Sequence, residues 1–237
     1  SPIMADDLRE VEQIVGHCSA LVLNMGTLSE RTLQSMLAAG KEANRLGRPV
    51  VFDPVGVGAS RFRNETAEML LHEVRFDVIK GNSSEIAYLA EGIGTTKGVD
   101  ANLDALSTEG NLNRHADRAR KVSARTGAVI VISGPIDIVA DSHEAWAIRH
   151  PMMAKITGTG CMSAGIIGCC VGANPQALLS SCACAMSVMG VCGELAYERL
   201  LPVEGGSGTY RVFLMDAVSR LDGVTLTRRS RAERLRI

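Results

Sequence analysis

Short apolar runs and amphipathic stretches alternate along the chain. Residues 20–24 (ALVLN), 49–53 (PVVFD), 76–80 (FDVIK) and 128–133 (AVIVIS) are nearly continuous apolar runs, each closing on a polar side chain. Runs of this kind predict strands covered on both faces, as in a parallel sheet. Between them, apolar residues recur at helical spacing. Residues 6–15 carry Leu8, Val11, Ile14 and Val15 on one stripe, and a segment capped by Ser29 runs through Leu33, Met36, Leu37 and Ala43 toward Gly47. Residues 66–74 and 114–125 read the same way. Asn82-Ser83-Ser84-Glu85 is an N-cap signature that opens a further helix. Two more strands are predicted at 136–140 and 145–148, with a turn at Asp141-Ser142-His143. Residues 160–200 read as two helices separated at Asn174-Pro175, and 212–221 as a last helix. Residues 92–110, rich in Gly, Thr, Asn and Asp, predict an irregular excursion.

Strands separated by helices predict a single α/β domain with a mostly parallel central sheet flanked by helices on both faces, a three-layer sandwich. The 237 residues are enough to bury roughly three quarters of the unfolded surface without a disulfide or metal staple. The composition, 46% hydrophobic and 22% charged, is that of an ordinary globular chain. A net charge of −1 and 3% aromatic residues argue against nucleic-acid binding, by field or by stacking. No apolar run reaches membrane-spanning length, so no membrane association is expected. Seven cysteines, an odd count with no zinc-ligand spacing, fit reduced thiols in a cytoplasmic setting. Five arginines in the last ten residues read as a solvated tail, with a phosphate-binding arm as the lesser reading.

In open α/β sheets, ligands bind beyond the carboxyl ends of the strands. Four polar clusters follow apolar runs directly: Asn24-Met-Gly-Thr27, Asp53-Pro-Val-Gly-Val-Gly58, Lys80-Gly-Asn82-Ser-Ser-Glu85 and Ser133-Gly-Pro-Ile-Asp137. A fifth, Thr157-Gly-Thr-Gly-Cys161, opens a helix. Gly158 and Gly160 leave backbone N–H groups unobstructed at the positive end of that helix, which suits phosphate. The cluster is neither a Walker A loop nor a dinucleotide fingerprint. Cys161, in the first helical turn, is a candidate for a lowered pKa, although no histidine lies nearby in the sequence to make a cysteine hydrolase. Asp53 reads either as a turn-initiating residue or as a Mg²⁺ ligand, and Glu85 either as a capping carboxylate or as a second ligand.

The blocks LVLNMGTL (21–28), VVFDPVGVGAS (50–60), IKGNSSEIA (79–87), VISGPIDIVAD (131–141) and ITGTGCMSA (156–164), with SPIM at 1–4 and GSGTY at 206–210, together resemble the hydroxyethylthiazole kinases of the ribokinase-like superfamily. The resemblance implies transfer of the ATP γ-phosphate, with Mg²⁺, to the hydroxyl of 4-methyl-5-(2-hydroxyethyl)thiazole in thiamine salvage. It implies a homotrimer with active sites at subunit interfaces. By motif, Met4 and Gly158 match substrate-contacting positions, Lys80 and Ser133 match ATP-contacting positions, and Asp53 and Glu85 match acidic residues associated with Mg²⁺. Cys161, with Gly158 and Gly160 around it, stands where most ribokinase-like kinases carry a catalytic Asp. It is expected either to take the alcohol proton or to shape the anion hole. Two positions depart from the usual pattern, Lys80 for Arg and Ser133 for Thr. The resemblance also implies residues upstream of Ser1 that supply a strand and part of the thiazole pocket. Other readings are a kinase for hydroxymethylpyrimidine or another small alcohol, a nucleotide-dependent dehydratase on the same fold, and a non-catalytic nucleotide-binding module.

Overall fold

The computed structural model describes residues 2–91, 107–150 and 159–235. Helices α1 (Val11–Gly16), α2 (Glu30–Arg45), α3 (Arg61–Glu73), α4 (Ser83–Glu91) and α5 (Leu112–Thr126) alternate with strands β1 (Leu21–Asn24), β2 (Val50–Asp53), β3 (Val78–Asn82) and β4 (Val129–Ser133). Strands β5 (Asp137–Ala140) and β6 (Ala145–Ile148) follow, then helices α6 (Thr159–Ala173), α7 (Leu178–Leu200), α8 (Ser207–Arg220) and α9 (Gly223–Arg229), and strand β7 (Ala232–Arg234). The sheet runs β1 to β7 in chain order. Strands β1–β4 are parallel. From β4 onward each neighbouring pair is antiparallel.

Side chains alternate across a strand, and that period sorts the core into two layers. Val50, Phe52, Ile79, Ile130, Ile132 and Ile138 point to one face and pack with α1–α5. Val51, Val78, Val129, Val131 and Val139 point to the other and pack with α6 and α7. Helix α8 adds a further layer on α7, where Tyr210 and Leu214 pack with Cys192 and Ala196, and Tyr210 Oη donates to Gly193 O at 2.9 Å. The stretch Leu178–Val203 matches a membrane span in length and composition, but it serves as a core helix, mostly buried inside the fold. Helix α6 lies directly on β1: a Cβ at Gly168 would stand 2.6 Å from Val22 Cγ2. Only a residue without a side chain permits that approach.

Up to α8 the elements follow the sequence expectations in order and type; α9 and β7 lie beyond the helix expected at 212–221 to be the last. Their ends differ where polar side chains intervene. The first helix begins at Val11 rather than at residue 6. Asp7 accepts from Arg9 N at 3.0 Å and its carbonyl takes Glu10 N, which closes a turn before the helix can start. Helix α3 begins earlier than expected, because Ser60 caps it through Arg63 N. The arginine-rich tail stays solvent-exposed, as expected of it, but it is ordered against the fold. Asp222 caps α9 through Thr225 N, and β7 pairs with β6. Arg229, Arg231 and Arg234 pair with Glu198, Glu194 and Glu144. The excursion expected at 92–110 falls mostly outside the described residues.

Candidate active site at the carboxyl edge of the parallel strands

The period-two rule that sorts the core also builds the site. Asn24, Asp53, Lys80 and Ser133 share parity with Val22, Val51, Val78 and Val131, so all four side chains stand on the α6 face. Each is the polar residue at or near the carboxyl end of its strand. The first turn of α6 brings Gly160 and Cys161 to the same edge. That turn carries no acidic residue of its own at the positive end of the helix dipole. Ser163 Oγ donates to Gly160 O at 2.6 Å and fixes the turn from within.

Asn24 joins the strand ends to the helix. Its Nδ2 donates to Asp53 Oδ2 at 2.7 Å and to Cys161 Sγ at 3.2 Å, while its Oδ1 accepts from Gly26 N at 2.7 Å. Asp53 is 1% exposed. Burial raises its pKa above the ordinary carboxylate value; Lys80, the Cys161 thiol and Asn24 act against that rise, and the charge of Glu85 adds to it. Lys80 Nζ lies 3.7 Å from Asp53 Oδ1, both side chains being buried. Its ammonium also lies under the start of α6, 3.0 Å from where a Cβ on Gly160 would be. Ser133 Oγ, at the end of β4, donates to Gly81 O at 3.4 Å.

Glu85 performs the capping expected of it. It accepts from Asn82 N at 2.7 Å through Oε2, and its own N–H donates to Asn82 Oδ1 at 2.9 Å. Its other oxygen accepts from Gly56 N at 2.8 Å, so the same carboxylate ties the loop after β2 to the end of β3. Cys161 is exposed, as the reacting edge of such a site requires. Met4 stands apart, 94% exposed on the segment before α1. Gly158 lies outside the described residues. Among the described residues, no three His, Cys, Asp or Glu side chains are grouped to hold a metal ion.

Two residues not singled out from the sequence shape this edge. Asn24 closed a recognised cluster, but its pairing with Asp53 follows only from the β1–β2 register. Arg63, in the first turn of α3, donates through Nη1 to the carbonyls of Met25 and Val55 and through Nη2 to Gly26 O. One guanidinium thus holds the loops after β1 and β2 together. Its spacing from those carbonyls, 38 residues from Met25, carries no local signal.

A sequence profile described as the hydroxyethylthiazole kinase family matches residues 1–223. A hydroxyethylthiazole kinase of Desulfovibrio desulfuricans is 52% identical over 246 residues, spanning 100% of this chain and 86% of its own length. A solved structure of a hydroxyethylthiazole kinase protein from Pyrococcus horikoshii OT3 superimposes with a TM-score of 0.84 at 28% identity, covering 100% of this chain and 85% of that one. A ribokinase of Arabidopsis thaliana, solved with ribose and ATP, shares the fold alone, with a TM-score of 0.51 at 14% identity over 94% of this chain and 61% of that one. With its ribokinase-like three-layer fold and a polar row beneath a glycine-opened helix, the chain belongs to the hydroxyethylthiazole kinase family.

Proposed function

We propose that the chain transfers the γ-phosphate of ATP to the hydroxyl of 4-methyl-5-(2-hydroxyethyl)thiazole at the carboxyl edge of β1–β4. The observation that carries the reading is the buried Lys80 ammonium, set between Asp53 and the start of α6. Phosphoryl transfer asks mainly for positioning and for cationic or N–H groups around a group that gains charge. Lys80 and the amides at the start of α6 supply these, and Ser133 supplies a hydroxyl at the neighbouring strand end.

Asp53 and Glu85 fit Mg²⁺ of the kind that takes one or two carboxylates and fills its shell with water and phosphate. They are two buried carboxylates, Asp53 at the end of β2 and Glu85 in the first turn of α4 after β3, near enough for the charge of Glu85 to raise the pKa of Asp53. When bound there, the ion would offset charge on the nucleotide phosphates. Cys161 is read as shaping the anion hole rather than as the base. Its Sγ accepts from Asn24 Nδ2 at 3.2 Å, the amide that also holds the Asp53 carboxylate, which fixes the thiol as part of the wall of the site. The alcohol proton then leaves to phosphate or water.

Met4 is read as a substrate contact completed by a second copy of the chain, since it is exposed here and lies apart from the polar row. A homotrimer with active sites between subunits accounts for this. Light scattering at assay concentration tests it, and a monomer there would overturn it. The expected setting is cytoplasmic, with no nucleic-acid or membrane partner.

The catalytic reading is tested by incubating the protein with ATP, Mg²⁺ and the hydroxyethylthiazole, with hydroxymethylpyrimidine as a competing alcohol. Mass spectrometry is expected to find the thiazole phosphate ester. An ester of the pyrimidine alone, or nucleotide binding without product, would overturn it.

A further inference from the structure

Rotamer preference fixes the end of neither an Asn nor an Asp side chain, because the last torsion of both is broad. At the edge of β1 and β2 hydrogen bonds remove that freedom. The register sets Asn24 opposite Asp53. Asn24 Oδ1 accepts from Gly26 N and its Nδ2 donates to Asp53 Oδ2, both at 2.7 Å. A backbone N–H on one side and a carboxylate on the other admit one orientation of the amide. Turned over, it would set N–H against N–H and oxygen against oxygen. Residue 26 has to be small for this: a Cβ on Gly26 would stand 2.7 Å from Asn24 Oδ1.

The amide in turn fixes the carboxylate. The two oxygens of the buried Asp53 are divided between neighbours: Oδ2 takes the Asn24 N–H, and Oδ1 lies 3.7 Å from Lys80 Nζ. At that distance the lysine attracts the carboxylate without a hydrogen bond to set its plane. The second N–H of Asn24 goes to Cys161 Sγ at 3.2 Å, in the first turn of α6. Sulfur is the weak acceptor of the two and the carboxylate the strong one, so the bond to Asp53 carries the orientation.

We propose, on the reading of this edge as the site of phosphoryl transfer, that Asn24 is a positioning residue acting through Asp53: it holds the carboxylate plane so that Oδ1 faces Lys80 at a distance. Without the amide, Asp53 is free to turn about its last torsion and to close on Lys80 as a direct pair. That pair would withdraw the cation from the phosphates and slow the transfer.

The test is a double-mutant cycle in the ATP–thiazole assay. Asn24→Leu keeps the bulk of the side chain and removes its donors. It is expected to lower kcat about 10²-fold, the loss that a displaced reacting group brings, with the KM for the thiazole alcohol within about twofold of wild type. In an Asp53→Asn background the same substitution is expected to cost little more, and in a Cys161→Ala background to cost the full factor. A merely structural residue would lose the same in both. If Asn24→Leu is unfolded by circular dichroism, Gly26→Ala takes its place in the cycle, since it presses on the amide and removes none of its groups. Asn24→Asp adds a pH profile. It keeps the acceptor for Gly26 N–H, and when protonated it regains a donor to Asp53. Two adjoining carboxyl groups hold a shared proton as pH falls, so its kcat relative to wild type is expected to rise about tenfold from pH 8 to pH 6. Lys80, Glu85 and Cys161, the other titratable groups around Asp53, are common to both proteins and cancel in that ratio. An Asn24→Leu variant with wild-type kcat, a loss that persists beside Asp53→Asn or vanishes beside Cys161→Ala, or an Asn24→Asp ratio flat with pH would overturn the inference. Wild-type protein that forms no thiazole ester would instead overturn the functional reading beneath it.

Discussion

The Lys80 ammonium lies where the first carbon of a side chain at position 160 would press, 3.0 Å from an ideal Cβ on Gly160. The cation and the helix start are therefore one construction. Lys80 emerges from β3 with 3% of its surface exposed, and α6 begins directly over it. A fixed positive charge and the positive end of a helix converge on the same volume, each strengthening the other's pull on an anion where water is scarce.

Gly160→Ala is expected to lower kcat/KM for ATP by about 10²-fold, the usual loss when one preorganised donor is displaced. Alanine is a better helix residue than glycine, so the melting temperature is expected to hold or rise. Steady-state kinetics beside a thermal melt check both. Full activity in the variant would separate Gly160 from the site.

Cys161→Ala is expected to retain kcat within about tenfold of wild type, because a general base contributes about 10²–10⁴ and a shaping contact far less. A loss of three orders of magnitude would make Cys161 the base. Asp53→Asn, which removes the charge facing Lys80, is expected to be far more damaging than Cys161→Ala under the same assay.

Arg63→Met leaves the carbonyls of Met25, Gly26 and Val55 without their donor. Denaturant unfolding is expected to show a loss of about 2–4 kcal/mol, as for other broken networks of charge-assisted hydrogen bonds. Arg63→Lys keeps the charge but cannot span the carbonyls, and is expected to recover only part of the loss.

The buried Asp137 carboxyl also leaves a mark on stability. Its ordinary value is 3.8 and the fold raises it to about 7. Between those values the native state keeps a proton that the unfolded chain has released, so this group makes stability fall as pH rises through the window. Above about pH 7 its effect is constant. The melting temperature of Asp137→Asn minus that of wild type is expected to grow from pH 4 to pH 7 and then level off. A difference independent of pH would place the titration elsewhere.

Much of this arrangement was legible in the sequence. The apolar runs at 20–24, 49–53 and 128–133 placed β1, β2 and β4 because strands buried on both faces leave no polar interruption. Their terminal residues marked the functional edge, and Asp53, Lys80, Ser133 and Cys161 all lie there. The capping box at Asn82 and Glu85 was readable since it is local. Arg63 was not, because its partners are backbone carbonyls brought near by the fold. Asp137 closed a recognised cluster, but its burial depends on the register of β5 against β4. The arginine tail was legible as solvated but not its ion pairs, since the carboxylates that pair with it lie before β6 and on α7.

The close seat of α6 on β1 has a bearing on all of this. Gly168 meets Val22 two turns along from Cys161, with no side chain on the helix to hold the two apart. The height at which the helix start floats above Asn24, Asp53 and Lys80 is set there, by an atom that is missing. The geometry of the candidate site is thus set at a distance, through the thickness of a layer, by a residue outside the polar row it positions.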